Sequence, residues 1–398
     1  MTETSREVCV EELIDEIAMG PFGSNIKADC FVDSGVPVFN GSNLVGFETN
    51  DNTLRFVTQE KAKSLGNALA SRGDVVVTHR GTLGQIAMIP YDSRYPHYVI
   101  SQSQFRIRCN NKVLPKFLVY YFHTREGQWR LLSNKVQTGV PALGRPTSTF
   151  RKLSMPLPAI ETQVKIVQVL DAMQAKIEAN AKLNGYLEEL CDALFLDFLE
   201  QADSSWHEGT LEELAEVKYG KDHKKLADGP YPVYGSGGFM RSAEKSLFSG
   251  ESVLIPRKGS LNNVMYVNEA FWTVDTMFFT VPRIPGAAKF LYQYVKRLDL
   301  ASMNSGSAVP SMTTSILNAL SLPVPPRDSL LSFNAKLQSM YDAVRANNLE
   351  NRRLESLRDS LLPKLMTGEI DVSKIDLTQL NSHLEERRPS PLQLQDCR

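Results

Sequence analysis

Apolar positions along the chain follow two patterns that alternate. Short runs such as Asp74–Val75–Val76–Val77–Thr78 and Met277–Phe278–Phe279–Thr280–Val281, bounded by Gly, Asn and Pro, predict strands. Apolar helical stretches at 116–132 and 289–301 accompany them, so 17–150 and 217–322 each predict a mixed α/β domain. The second pattern follows a Pro-x-Pro break, at Ala159 and again at Pro326, and is free of proline until Pro363. There the inward positions step alternately by four and three: Ile166, Leu170, Met173, Ile177, Asn180, Asn184, Leu187, Cys191, Leu194 and Phe198. Adding 167 gives Phe333, Leu337, Met340, Val344, Asn347, Asn351, Leu354, Arg358, Leu361 and Leu365. Both are heptad seams. A 33-residue helix is about 50 Å long, and a stripe this narrow needs a partner helix rather than a globular bundle around it. The expected fold class is α+β: two tandem pseudo-repeated α/β domains separated by two long helices that pair as an antiparallel coiled coil.

The pattern is a repeat of about 170 residues. Pro37–Val38–Phe39–Asn40–Gly41–Ser42 returns as Pro232–Val233–Tyr234–Gly235–Ser236, and Gly73–Gly81 returns as Gly250–Gly259. Lys116–Phe117–Leu118 pairs with Lys289–Phe290–Leu291, Gly139–Val140–Pro141 with Ala308–Val309–Pro310, and Ser154–Pro158 with Ser321–Pro325. The offset drifts from 194 to 167, mostly between residues 42 and 80, so the first copy carries extra chain there. Five segments follow: 1–158, a first α/β domain; 159–205, a first spacer helix; 206–326, a second α/β domain; 327–370, a second spacer helix; and 371–398, a tail. The seam asparagines Asn180, Asn184, Asn347 and Asn351 either fix helix register by pairing or mark a solvated stretch where the helices diverge.

Charge changes its meaning once divided by segment. The 398 residues hold 44 Lys+Arg and 45 Asp+Glu, a net charge of −1, which excludes a uniformly basic protein. Residues 17–150 nevertheless carry +7 and residues 217–326 carry +5, while 1–16, 151–205 and 206–216 carry −5, −4 and −4. Two basic domains between acidic-to-neutral helices suit a polyanion, which demands local positive charge; uneven surface charge is the plainer account. No run of 18 apolar residues and no apolar N-terminal segment is present, so neither a membrane span nor a secretory signal is expected. The scattered Cys9, Cys30, Cys109, Cys191 and Cys397 read as reduced cytosolic thiols, mostly buried.

Catalytic signals are sparse. The chain has no Gly-x-x-x-x-Gly-Lys-Ser/Thr loop, no Gly-x-Gly-x-x-Gly turn, no Asn/Asp-Pro-Pro-Tyr motif and no His-Glu-x-x-His metal helix. His207–Glu208 lacks a second ligand nearby and reads as a solvated turn. Glu216–Val217–Lys218 offers half of a metal-nuclease motif, but its counterpart Glu16–Ile17–Ala18 lacks the lysine. A recognition protein fits better than an enzyme.

Several motifs in order carry a family resemblance. Gly35–Asn43 and Arg80–Gly81–Thr82–Leu83–Gly84 resemble parts of the target recognition domains of type I restriction–modification specificity subunits. Leu153–Pro158 followed by Glu161–Thr162–Gln163 resembles that family's approach to its first spacer helix, and Leu357–Ile370 its C-terminal end; Asp328–Ser329–Leu330 lacks the Glu-x-Gln of the first copy. The resemblance covers residues 10–375. It implies that each domain reads half of a bipartite, asymmetric double-stranded DNA target and that the helices dock two modification subunits. Restriction subunits would join the full complex. S-adenosylmethionine, ATP and Mg would be bound by the partner chains, and this chain would hold no cofactor, no metal and no catalytic residue. A cytoplasmic protein without membrane contact is expected.

Within the recognition domains, Arg80 and Thr82, matched by Arg257, Lys258 and Ser260, put cations beside backbone N–H groups, as phosphate contacts require; a hairpin turn with an exposed Arg is the structural alternative. Asn40, Ser42 and Asn43, and Tyr234, Ser236 and Arg241, are candidates for base edges. Lys221, Lys224 and Lys225 suit phosphates, and Lys27 is a further DNA candidate. Lys135 with Thr138, and Ser305 with Ser307, lie in loops before the helices. Asn262 and Asn263 are candidates for adenine, though turn formation also explains such residues. Two rival functions remain: a single-chain restriction or methyltransferase enzyme with unrecognised catalytic residues, and a non-catalytic coiled-coil protein adaptor.

Overall fold

Each seam lies on one unbroken helix, Ile160–Glu200 and Arg327–Thr367, both of 41 residues. Each is about 60 Å long at 1.5 Å per residue. The computed structural model describes residues 6–21, 25–136, 139–303 and 311–372. Pro363 does not end the second helix, which continues to Thr367. The chain forms two compact units, one of residues 1–178 with 350–398 and the other of 179–349.

In the first unit, Ile166, Val169 and Leu170 are buried with Leu362, Leu365 and Met366. In the second, Cys191, Phe195 and Phe198 are buried with Leu330, Phe333 and Leu337, and Phe198 stacks on Phe333 at 4.4 Å between ring centroids. The start of one helix thus meets the end of the other, and the pair runs antiparallel. At these ends the buried face is wider than the heptad stripe, because Val169, Phe195, Leu330 and Leu362 also pack into the α/β cores. Towards the middle the stripe turns polar. Asn347 donates Nδ2 to Asn184 Oδ1 at 2.8 Å and Asn184 donates to Asn348 Oδ1 at 2.9 Å. Asn351 donates to the Ile177 carbonyl at 3.2 Å, and Asn180 is buried.

In the first unit an antiparallel sheet runs in the order Ile14–Met19, Gln104–Cys109, Val75–Thr78, Ile86–Met88. A second sheet, ordered Phe31–Val32, Arg55–Val57, Val36–Val38, His97–Val99, Leu69–Ser71, contains one parallel pair, Val38 beside Val99. The other unit has a six-stranded sheet ordered Ala215–Tyr219, Met277–Pro282, Phe248–Pro256, Met265–Thr273, Tyr231–Gly235, Gly238–Ala243. It too has one parallel pair, Val233 beside Trp272.

Each unit also carries the same two-stranded ribbon. Arg6–Cys9 pairs with Ser154–Leu157 and His207–Thr210 with Ser321–Val324, setting Glu7 opposite Pro156 and Glu208 opposite Pro323. A two-stranded ribbon has free edges, so it tolerates the proline of each Pro-x-Pro segment. His207 therefore starts a strand rather than a turn.

Two further expectations need correction. The stretch 116–132 is two helices, Pro115–His123 and Arg125–Leu132, because Thr124 takes an extended backbone and its Oγ1 accepts the Gly127 N–H at 2.9 Å. Its counterpart is a single helix, Ala287–Val295. Among the four described cysteines only Cys191 is buried; Cys9, Cys30 and Cys109 are half-buried, and all four are free thiols. Among the described residues no helix is long and apolar enough to cross a membrane.

Candidate nucleic-acid interface

The strand Val75–Thr78 runs through His79 into Arg80 and turns at Gly81 and Gly84, both at φ near +88° (87° and 88°), before returning as Ile86–Met88. That conformation favours glycine, and a Cβ at Gly84 would also lie 2.4 Å from Gln128 Oε1. The non-helical segment 139–144 is laid against the turn: Gly81 N–H donates to Pro141 O at 3.0 Å and Leu143 N–H to His79 O at 2.8 Å. This brings the ribbon of Lys135–Val136 and Ala142–Leu143 beside Arg80. The Asn40–Asn43 loop joins the group through Gln85, which donates to Gly41 O at 3.0 Å and accepts from Thr78 Oγ1 at 3.1 Å. Arg80, Thr82, Lys135, Asn40 and Ser42 are all exposed there, and Lys27 is exposed elsewhere in the unit. Burial lowers the pKa of His79, so Arg80 supplies the charge of this turn.

The second unit builds the same arrangement from the equivalent segments. Phe248–Pro256 leads through Arg257 and Lys258 into Gly259, at φ 84°, and Ser260. Met312 N–H donates to Arg257 O at 2.9 Å, and Lys258 bridges to Ser311. Here Asn263 ties the loops, donating Nδ2 to Ser236 O at 2.7 Å. Lys258, Ser260, Lys221, Lys224 and Lys225 are exposed.

Several candidates have structural roles instead. Asn43 is fully buried: its Oδ1 accepts Asn40 N–H at 2.9 Å and its Nδ2 donates to the carbonyls of Asn50 and Asn52 at 2.9 and 2.8 Å. No part of it is left for a base. Asn262 is committed at both ends, to Asp299 Oδ1 at 3.2 Å and to Ala301 N–H at 3.1 Å. Arg241 is half-buried and clamps the Leu226 carbonyl and Asp228, each at 2.9 Å, and Tyr234 donates its hydroxyl to Glu269 at 2.6 Å. Arg257 is half-buried, its guanidinium 5.4 Å from the Tyr219 ring centre and bonded to Asp275 O at 3.3 Å. Thr138, Ser305 and Ser307 lie outside the described residues.

Other residues at these loops escaped the sequence reading. Gln85 is one, because nothing in its neighbours marks it as a tether. Tyr219 under Arg257, and Phe239 and Met240 on the hairpin beside Tyr234, are large apolar groups left about half exposed, at 49%, 53% and 53%. Glu216 and Lys218 pair with each other at 3.2 Å, and among the described residues no three His, Cys, Asp or Glu side chains are grouped to hold a metal.

Residues 23–189 and 203–357 each match the family model of the type I restriction modification DNA specificity domain. The chain belongs to this family. It has the organisation of a type I specificity subunit with two recognition domains. The HindI specificity subunit of Haemophilus influenzae is 23% identical, over 70% of this chain and 83% of its own length. The MjaIX specificity subunit of Methanocaldococcus jannaschii is also 23% identical, over 81% of this chain and 83% of its own. The crystal structure of the S subunit from M. genitalium shares the fold, with a TM-score of 0.60 at 17% identity, covering 92% of this chain and 96% of that one.

Proposed function

We propose that this specificity subunit reads a bipartite, asymmetric DNA target, one half with each recognition domain, and docks two modification subunits through its long helices. The observation that carries this reading is the loop assembly built twice. In each basic domain a cationic glycine turn is crossed by a later segment, at Pro141–Leu143 or at Ser311–Met312, and tied by a side-chain amide to a second polar loop. Different side chains on one scaffold suit two different half-sites. Two modules held by stiff helices multiply their specificities without the entropy of a flexible linker.

Arg80, Lys135, Lys258 and the lysines at 221, 224 and 225 take the phosphate role, which sets register on the duplex. Asn40, Ser42, Ser236 and Ser260 face the bases, joined by Phe239 and Met240 for thymine methyl groups. Methyl transfer from S-adenosylmethionine and any ATP- and Mg-dependent translocation and cleavage fall to partner chains, restriction subunits included, in the cytoplasm.

The test is to produce the chain with the modification subunits encoded beside it and map modified adenines on bulk DNA. One two-part motif with a fixed spacer is expected. The chain alone, with S-adenosylmethionine, should modify nothing; turnover there would establish the single-chain enzyme instead. A complex that leaves DNA unmodified and unbound would favour the protein adaptor.

A further inference from the structure

Two lysines at equivalent points of the repeat make the same three-way cross-link, each inside its own unit. Lys116, in Pro115–His123, donates to Glu48 in the loop after Asn43, and its ammonium lies 2.9 Å from Asp171 Oδ1 on the first long helix. Tyr120, one turn on, donates its hydroxyl to the same Asp171 oxygen at 2.6 Å. In the other unit Lys289, in Ala287–Val295, has a fully buried side chain. It donates to Glu251 Oε1 at 2.5 Å, to Asn334 Oδ1 at 2.7 Å and to Gln338 Oε1 at 2.9 Å, three acceptors for the three N–H bonds of an ammonium. Its Nζ also stands 5.6 Å from the ring centres of both Tyr266 and Tyr341. Asp171 and Gln338 are 167 residues apart, the offset that relates the two seams, and each lysine opens a Lys–Phe–Leu triplet. In both copies, then, a lysine of the domain's own helix joins a carboxylate of its β-rich part to a polar side chain on one face of the long helix.

Buried ion pairs are poor sources of stability, since an apolar group of similar volume does as well or better. What the pair supplies is direction. Leucine and phenylalanine contacts tolerate sliding, whereas an ammonium displaced from its acceptors leaves a charge unpaired.

We propose that Lys116 and Lys289 are positioning residues that hold each recognition domain at one angle to its own stretch of long helix, and so restrict the spacer length the protein accepts. This rests on the bipartite reading above. Lys116→Met and Lys289→Met, each in the full chain with its modification subunits, should keep both half-site sequences while losing some thermal stability, because each leaves its carboxylate partner without a counter-charge. They should modify sites with longer or shorter spacers roughly tenfold more than the wild type does, a difference of about 1.4 kcal/mol in discrimination. Asp171→Gln, which gives the first copy the amide of the second, should keep the single spacer, and Asp171→Leu should relax it. Gln338→Leu serves in place of Lys289→Met should that variant not fold. A single spacer retained in all the apolar variants would overturn the proposal. A wild type without any two-part motif would instead defeat the functional reading. The positioning role is then decided without DNA, by the distance distribution between spin labels at the exposed Lys245 and Lys336 of the second unit. It should broaden in Lys289→Met; an unchanged width would refute the role.

Discussion

Asparagine serves three different ends in this chain, and residue type alone does not separate them. At position 43 it is a buried tie that closes its loop with three hydrogen bonds. At 262 and 263 it joins one loop to another. At 184 and 347 it pairs across the helices. The amide group that suits adenine also suits a backbone turn, so the sequence does not separate tied side chains from free ones within these loops. Arg80 and Lys258 are different: both are exposed at their glycine turns. We expect Asn43→Ala to lower unfolding free energy by about 2–3 kcal/mol, from the buried partners it strands, as read by urea denaturation. Arg80→Ala and Lys258→Ala should each change stability by less than about 0.5 kcal/mol. Each should reduce the slope of log affinity against log salt by about 1. An unchanged slope would remove that residue from the phosphate contacts.

Helices were more legible than sheets for a physical reason. A heptad seam is a local repeat that can be counted along the chain, and both seams lie on single helices whose least exposed stripe includes Ile166, Leu170, Phe333 and Leu337. Strand order depends on partners far apart in sequence, and nothing near Val38 announces its parallel neighbour Val99. The break at Thr124 coincides with a change from apolar residues to Arg125–Glu126–Gly127–Gln128, which a single helical stretch over 116–132 passes over. At this scale the polar centre of the helix pair makes its own prediction. Changing Asn180, Asn184, Asn347 and Asn351 together to Leu should raise the thermal midpoint while admitting other registers. Modification mapping of the resulting complex should then show more than one spacer; a single unchanged spacer would mean that these asparagines do not set register.

For the whole chain, the near-zero net charge is the sum of two basic recognition domains and the acidic segments around them. The repeat makes this division meaningful, since the +7 and the +5 fall on two copies of one fold whose cationic turns are built alike. The drift in offset also has a structural counterpart: between Val36–Val38 and Val75–Thr78 the first unit places Arg55–Val57, a short helix at Gln59–Ser64 and Leu69–Ser71, where the second has the single strand Gly238–Ala243 between Tyr231–Gly235 and Phe248–Pro256. The central claim is that the two domains read separate halves of one target. It is tested most directly by exchanging residues 17–150 for the first recognition domain of another specificity subunit and mapping modified adenines. The account predicts that one half of the motif changes while the other half and the spacer stay as they were. A motif changed in both halves, or in neither, would contradict it.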